Sequence, residues 1–279
     1  MGLGIQLTFT SMQLSVAESG DHHCSMLLES PPPDCPLIEL DQPLYVLKVY
    51  DHRYAVELRN GMSCGPWSES YRKLLEYARS IPPPEDPPGE RLSYFVEGEF
   101  KLETNVKTCF NTETAIYDRL LAYQGTLVPR KVATGHVTLS SAADLFIDGT
   151  RPRAILLEYI EGTSMDVLPG GPSTLHCERA MEAIRHLALC DFVNQDVRPH
   201  NILIRPDETV CVIDFAQGRL REDDETDEEW WREKADVEEE KRLRQRLKKD
   251  FGFDFHFSND WPSITESYMR QHPEIYGEF

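Results

Sequence analysis

A chain of 279 residues with 40% hydrophobic side chains holds enough apolar material for one large domain or two modest lobes around a cleft, which excludes a disordered protein. Its formal net charge of −19, from 48 acidic against 29 basic side chains, excludes sequence-independent nucleic-acid binding, which needs a positive field. No segment offers the ~20 consecutive apolar residues of a membrane-spanning helix, so no membrane partner is expected.

Seven cysteines are scattered along the chain without a C-x-x-C pair, and His22-His23-Cys24 has no second ligand cluster at a metal-binding spacing. Unpaired intracellular thiols are therefore expected. The start of the chain lacks the charged end and apolar run of a secretory signal, and Gln6 stands where a myristoylation signal needs Ser or Thr. These features predict a cytoplasmic address, with nuclear targeting by the basic run at 241–249 as the alternative, and a monomer.

Residues 1–35 are an irregular N-terminal segment in which 6–16 alternate well enough for one strand, before Pro31-Pro32-Pro33 stops it. Residues 37–40 and 44–50 read as a hairpin turned at Asp41-Gln42-Pro43. Residues 51–110 read as an insertion, with a helix over 68–81 (Tyr71, Leu74, Leu75 and Ala78 on one face) halted by Pro82-Pro83-Pro84, and a short strand or helical turn over 92–100. A helix over 111–123 starts at an Asn111 or Thr112 cap and ends before Gly125. Strands over 131–139 and 154–160 follow, then a connector at Glu161-Gly162-Thr163 and a helix over 176–189 facing Ala180, Ile184, Leu187 and Ala188 inward.

The pattern is α+β and bilobal. It predicts an antiparallel-sheet N-lobe over 36–161, containing the insertion, and a shortened, mainly helical C-lobe over 162–279. Residues 222–240 carry twelve acidic and two basic side chains, a local charge of −10, and lead through Trp230-Trp231 into the basic run. Acid followed by base at helical spacing predicts a solvated helix with i,i+4 pairs, anchored by a tryptophan.

The chemistry concentrates at Asp196-Val-Arg-Pro-His-Asn201. Residues 202–204 and 210–213 form the arms of a hairpin turned at 205–209, which returns Asp214 beside Asn201. Two carboxylates and a carboxamide so placed suit two metal ions and a nucleoside triphosphate. Lys48 interrupts an apolar strand whose same face carries Val46 and Tyr50; the competing reading is a solvent-facing lysine on an edge strand. Glu113 lies on one helical stripe with Ile116, Tyr117, Leu120 and Leu121, so as an inward carboxylate it needs a partner, with Lys48 the candidate. Favouring the helix dipole from the first turn is its alternative role.

Lys48, Glu113, Asp196, Asn201 and Asp214, in that order, resemble the protein kinase-like superfamily, which includes aminoglycoside-phosphotransferase-like proteins. Residues 46–55, Val-Leu-Lys-Val-Tyr-Asp-His-Arg-Tyr-Ala, are similar to the opening of small fungal kinase-like proteins. The resemblance covers about 36–231 and implies a kinase that uses ATP and Mg²⁺ and transfers the γ-phosphoryl group to a hydroxyl of a protein or small molecule. It implies that Lys48 holds the phosphates and Glu113 orients it, that the backbone of Glu158-Tyr159-Ile160-Glu161 meets adenine, that Asp196 orients or deprotonates the acceptor hydroxyl beside a phosphate-contacting Arg198, and that Asn201 and Asp214 bind the metal. The chain departs from the pattern at Asn194-Gln195 in place of His-Arg, at Ala216 in place of Gly, and in lacking both a G-x-G-x-x-G over 1–44 and an A-P-E. These departures keep a second reading open, a pseudokinase-like binding or scaffold protein.

Overall fold

The computed structural model describes residues 6–9, 12–15, 25–29, 44–62, 64–80, 90–138, 151–258 and 263–276. The fold mixes helix and sheet in two compact units, Met1–Asn111 with Lys131–Tyr159, and Thr112–Arg130 with Ile160–Phe279. Residues 31–33 and 37–40, the proline runs at 82–88 and Cys24 lie outside the described residues, as does the turn at 41–43.

The first unit is built on six antiparallel strands: β1 (Gln6–Phe9), β2 (Met12–Ser15), β3 (Ser25–Glu29), β4 (Leu44–Tyr50), β5 (Lys131–Thr138) and β6 (Arg153–Glu158), in the order β2-β1-β5-β6-β4-β3. The single strand expected over 6–16 is instead two strands paired from Gln6↔Ser15 to Phe9↔Met12. Neither face of that segment is cleanly apolar. Folding it back satisfies backbone hydrogen bonds that a lone edge strand would leave to water. Strand β4 pairs with β3 and β6, so it lies inside the sheet and Lys48 is not on an edge. Tyr45 and Leu47 are buried on one face, and the register Val46↔Leu157, Lys48↔Ile155 puts Lys48 among apolar neighbours on the other.

Three helices follow β4: α1 (Val56–Gly61), α2 (Glu69–Ser80) and α3 (Glu90–Arg119). The helix expected to begin at Asn111 is the end of the 30-residue α3, which also absorbs the short element expected over 92–100. Its buried stripe of Leu102, Val106 and Phe110 runs in phase into Glu113, Ile116, Tyr117 and Leu120, so no cap was needed. Asn111, exposed in mid-helix, accepts at Oδ1 from Arg153 at 2.7 Å, a surface contact instead of a cap. Leu121 leaves the stripe, exposed in a 3₁₀ turn, because the α-helix stops at Arg119.

The segment after β4 buries an ionic cluster. Arg59 grips Glu99 with two hydrogen bonds of 2.5 and 3.0 Å and donates to the carbonyls of Gly65 and His52. Arg53 pairs with Asp51 at 2.5 Å. Such pairs hold only where both charges are hydrogen-bonded, as here. His52, fully buried against the edge of Trp67, has its pKa pushed down to about 4, chiefly by burial.

The second unit receives the end of α3 and adds α4 (Thr174–Ala188), whose Ser173 cap shares a capping box with His176. Small sheets pair β7 (Thr163–Ser164) with β9 (Ile202–Ile204), β9 with β10 (Val210–Val212), and β8 (Phe192–Asn194) with β11 (Gly218–Leu220). Helices α5 (Asp227–Val237), α6 (Glu239–Phe251), α7 (Ile264–Gln271) and α8 (Pro273–Tyr276) complete it.

The acidic-to-basic stretch departs from the solvated helix expected. Glu238, in a left-handed conformation at φ 49°, breaks it into α5 and α6. Trp230, Lys234 and Val237 form a buried stripe at helical spacing, and Glu239 and Glu240 are buried too. Lys234 Nζ donates to the Phe192 carbonyl and lies 3.2 Å from Glu239, whose Oε1 accepts from the Asn194 N–H at 2.7 Å. A buried ion pair thus clamps both ends of β8. Some surface pairs of the expected kind do form, Arg232–Glu228 among them.

Two outcomes test these buried groups. Glu239→Ala leaves Lys234 buried and uncompensated and should cost about 3–5 kcal/mol; Glu239→Gln, which can still accept from Asn194, should cost less in urea unfolding. His52 favours its neutral form in the folded state. Its contribution is therefore complete above the unfolded value of 6.5 and is lost as pH falls towards about 4. The wild type should lose about 3 kcal/mol more than His52→Phe across that window.

Candidate active site

The site is assembled within the second unit by hydrogen bonds that begin and end on paired strands. Strand β8 enters it, β11 leaves it, and Gly218↔Asn194 is their first pair. A Cβ at Gly218 would lie 2.4 Å from Ile116 Cδ1 and 3.2 Å from the Val193 carbonyl, so glycine permits this close approach. Asn194 turns the chain out of β8 by accepting from the Asp196 N–H at 3.0 Å. Pro199 opens a 3₁₀ turn over Pro199–Asn201, where its missing N–H leaves nothing unsatisfied.

Asp196 and Asn201 are directly bonded, Asn201 Nδ2 donating to Oδ2 of Asp196 at 2.9 Å and to its carbonyl at 3.1 Å. Arg198 lies 3.0 Å from the same carboxylate. The Asn201 carbonyl accepts from Ile213 N–H at 2.9 Å, which fixes the end of the β9–β10 hairpin beside the loop and delivers Asp214. The hairpin register, Val210↔Ile204 to Val212↔Ile202, follows the sequence reading. Asp214 adopts φ 63°, a left-handed conformation Asp tolerates better than most residues, and its Oδ1 accepts from Ala216 N–H at 3.3 Å.

Phe215 is fully buried and meets the rings of Tyr117 and Phe192 edge-on at 5.4 and 5.7 Å. The buried Glu113 accepts from its backbone N–H at 3.4 Å. Burial raises the Asp196 carboxyl above the usual range; the charge of Asp214 adds to this, while Arg198 and the Asn201 amide oppose it. The two carboxylates therefore share one electrostatic field.

Five of the expected residues, Glu113, Asp196, Arg198, Asn201 and Asp214, thus gather in the second unit. Lys48 and Glu158 sit on β4 and β6 of the first, with the Lys48 ammonium 5.6 Å from the Tyr50 ring centre. Ile160, buried, opens the second unit.

With Nδ2 of Asn201 committed to Asp196, Oδ1 is the atom left to ligate. An amide oxygen and the Asp214 carboxylate are hard donors suited to Mg²⁺. Among the described residues no group of three or more His, Cys, Asp or Glu is arranged to hold a metal ion. Two donors of this kind would leave such an ion to complete its shell with water or phosphate oxygens.

Sequence reading passed over Asn194, Lys234 and Glu239. Asn194 registered only as a departure from His-Arg, although its side chain makes the turn into Asp196. For Lys234 a signal existed: it falls four residues after Trp230 and three before Val237, on an apolar stripe.

No protein-family model matches this chain, and no curated protein matches it. Among solved structures it is similar to the 2.2 Å crystal structure of WbdD, at 11% identity over 78% of this chain and 36% of that chain, with a TM-score of 0.41. It is also similar to a co-crystal structure of WbdD with the kinase inhibitor LY294002, at 12% identity, the same coverage and a TM-score of 0.38. The chain spans little more than a third of the WbdD length, and the similarity is distant.

Proposed function

We propose that this chain is an ATP- and Mg²⁺-dependent phosphotransferase of bilobal, kinase-like fold. The observation that carries the reading is the bonding of Asp196 to Asn201 with Asp214 held in the same field. Those are the three groups that position an acceptor hydroxyl and the metal in such enzymes. Arg198 adds support: its side chain, part-exposed beside Asp196, carries the guanidinium that phosphate oxygens favour.

Asp196 would accept the proton of the acceptor hydroxyl as its oxygen bonds to the γ-phosphorus and the bond to the β-bridging oxygen breaks, releasing ADP. Mg²⁺ supplies charge neutralisation on the phosphates when bound. Asn201 Oδ1 and Asp214 would hold it. Lys48 would contact the α and β phosphates, with Glu113 as its orienting partner, and the backbone from Glu158 to Ile160 would meet adenine. In this scheme the protein contributes positioning and electrostatics.

A binding module without useful turnover is the second reading, favoured by Arg198 and Asn201 both engaging the Asp196 carboxylate. One pair of variants separates the two. Mg²⁺ with ATP should raise the melting temperature of the wild type, and Asp214→Ala should abolish the metal-dependent part of the shift. Asp196→Asn should keep the shift while losing about 10²–10⁴ in turnover. No metal-dependent shift in the wild type defeats the phosphotransferase reading, whereas a shift without any Asp196-dependent ATP turnover favours the binding module.

The acid limb of the pH–rate profile provides a further test. Activity requires ionised Asp196, whose pKa is raised, so activity should fall with acid at a higher pH than an ordinary aspartate would give. Arg198→Gln removes an opposing charge and should move that limb higher still.

A further inference from the structure

Helix α6 brings its own cations to the loop that carries Asp196. Arg242 Nη1 donates to the Gln195 carbonyl at 3.3 Å, one residue before Asp196. Arg246 follows one turn later on the same helical face, is exposed, and lies near enough to act on the Asp196 charge. Among the described residues neither arginine is paired with a carboxylate, whereas Lys241 is tied to Glu238, and Arg244 and Lys248 to Asp254. The i,i+4 spacing sets their Cβ atoms about 6 Å apart, within the span over which two guanidinium forks can grip one phosphate.

A chain of net charge −19 repels an anionic substrate at long range, so taking one up requires a local positive field. We propose that Arg242 and Arg246 recognise a phosphate monoester carried by the acceptor, making the substrate class a phosphorylated hydroxyl compound. This rests on the phosphotransferase reading above: the acceptor hydroxyl meets Asp196 while its phosphate lies against α6.

Inorganic phosphate is the probe. The full chain is titrated with it by calorimetry at constant ionic strength, with a non-hydrolysable ATP analogue and Mg²⁺ saturating the nucleotide site. Binding on the order of millimolar is expected in the wild type, weakened about tenfold or more in Arg242→Gln/Arg246→Gln. Arg244→Gln should leave it unchanged, and circular dichroism checks that every variant is folded. Undetectable binding in the wild type, or equal binding in the double variant, overturns the proposal. If the analogue binds and phosphate affinity ignores the two arginines, the phosphotransferase reading stands and the anionic acceptor falls. If phosphate binding needs both arginines but the analogue does not bind, the phosphotransferase reading fails and the acceptor role falls with it.

Discussion

The buried pairing of Lys234 with Glu239 is the interaction on which the arrangement of the site depends. Each partner also hydrogen-bonds the backbone of β8, Lys234 at the Phe192 carbonyl and Glu239 at the Asn194 N–H. Desolvating two charges is costly and is offset only when nearly every polar atom is matched. Here the matching atoms belong to the strand that feeds Asp196. Charge compensation in the helices and loop geometry at the site are one requirement, and a change in either is felt by the other.

The first unit shows the same economy in a different setting. Arg59 and Glu99 join α1 to the long α3, with two backbone carbonyls taking two further guanidinium donors. The segment that sequence treats as an insertion is thus tied down by charges and by Trp67, under the cation of Arg59 at 5.7 Å. Lys48, by contrast, pairs across the sheet with Ser25 of β3 on one side and Ile155 of β6 on the other, so its backbone is held from both edges.

Sequence reading succeeded where a local pattern and its tertiary use coincide. The β9–β10 hairpin, the inward face of α4 and the proximity of Asp196, Asn201 and Asp214 could be read because turn residues, periodicity and spacing all agreed. It failed where a polar residue was assigned its commonest role. Asn111 has the look of a cap but sits inside a helix because the apolar stripe before it is in phase with the one after it. Lys234 and Glu239 belong to a strongly acidic run, and their burial depends on a strand forty residues upstream that no local window contains. The twofold pairing of β4 was equally hidden, since one partner, β6, lies a hundred residues further along the chain.

The ladder between β8 and β11 has a thermodynamic consequence. It closes residues 195–217 into a loop, and inside that loop hydrogen bonds hold Asp196 and Asp214 within reach of each other's charge. Their mutual repulsion is fixed when the strands pair, before any ligand arrives. Whatever relieves that repulsion, a proton on Asp196 included, is therefore coupled to the pairing of the strands. Folding of this segment and ionisation of the carboxylate pair are then two sides of one equilibrium, and a substitution that loosens the ladder at Gly218 lets the two charges move apart without touching either.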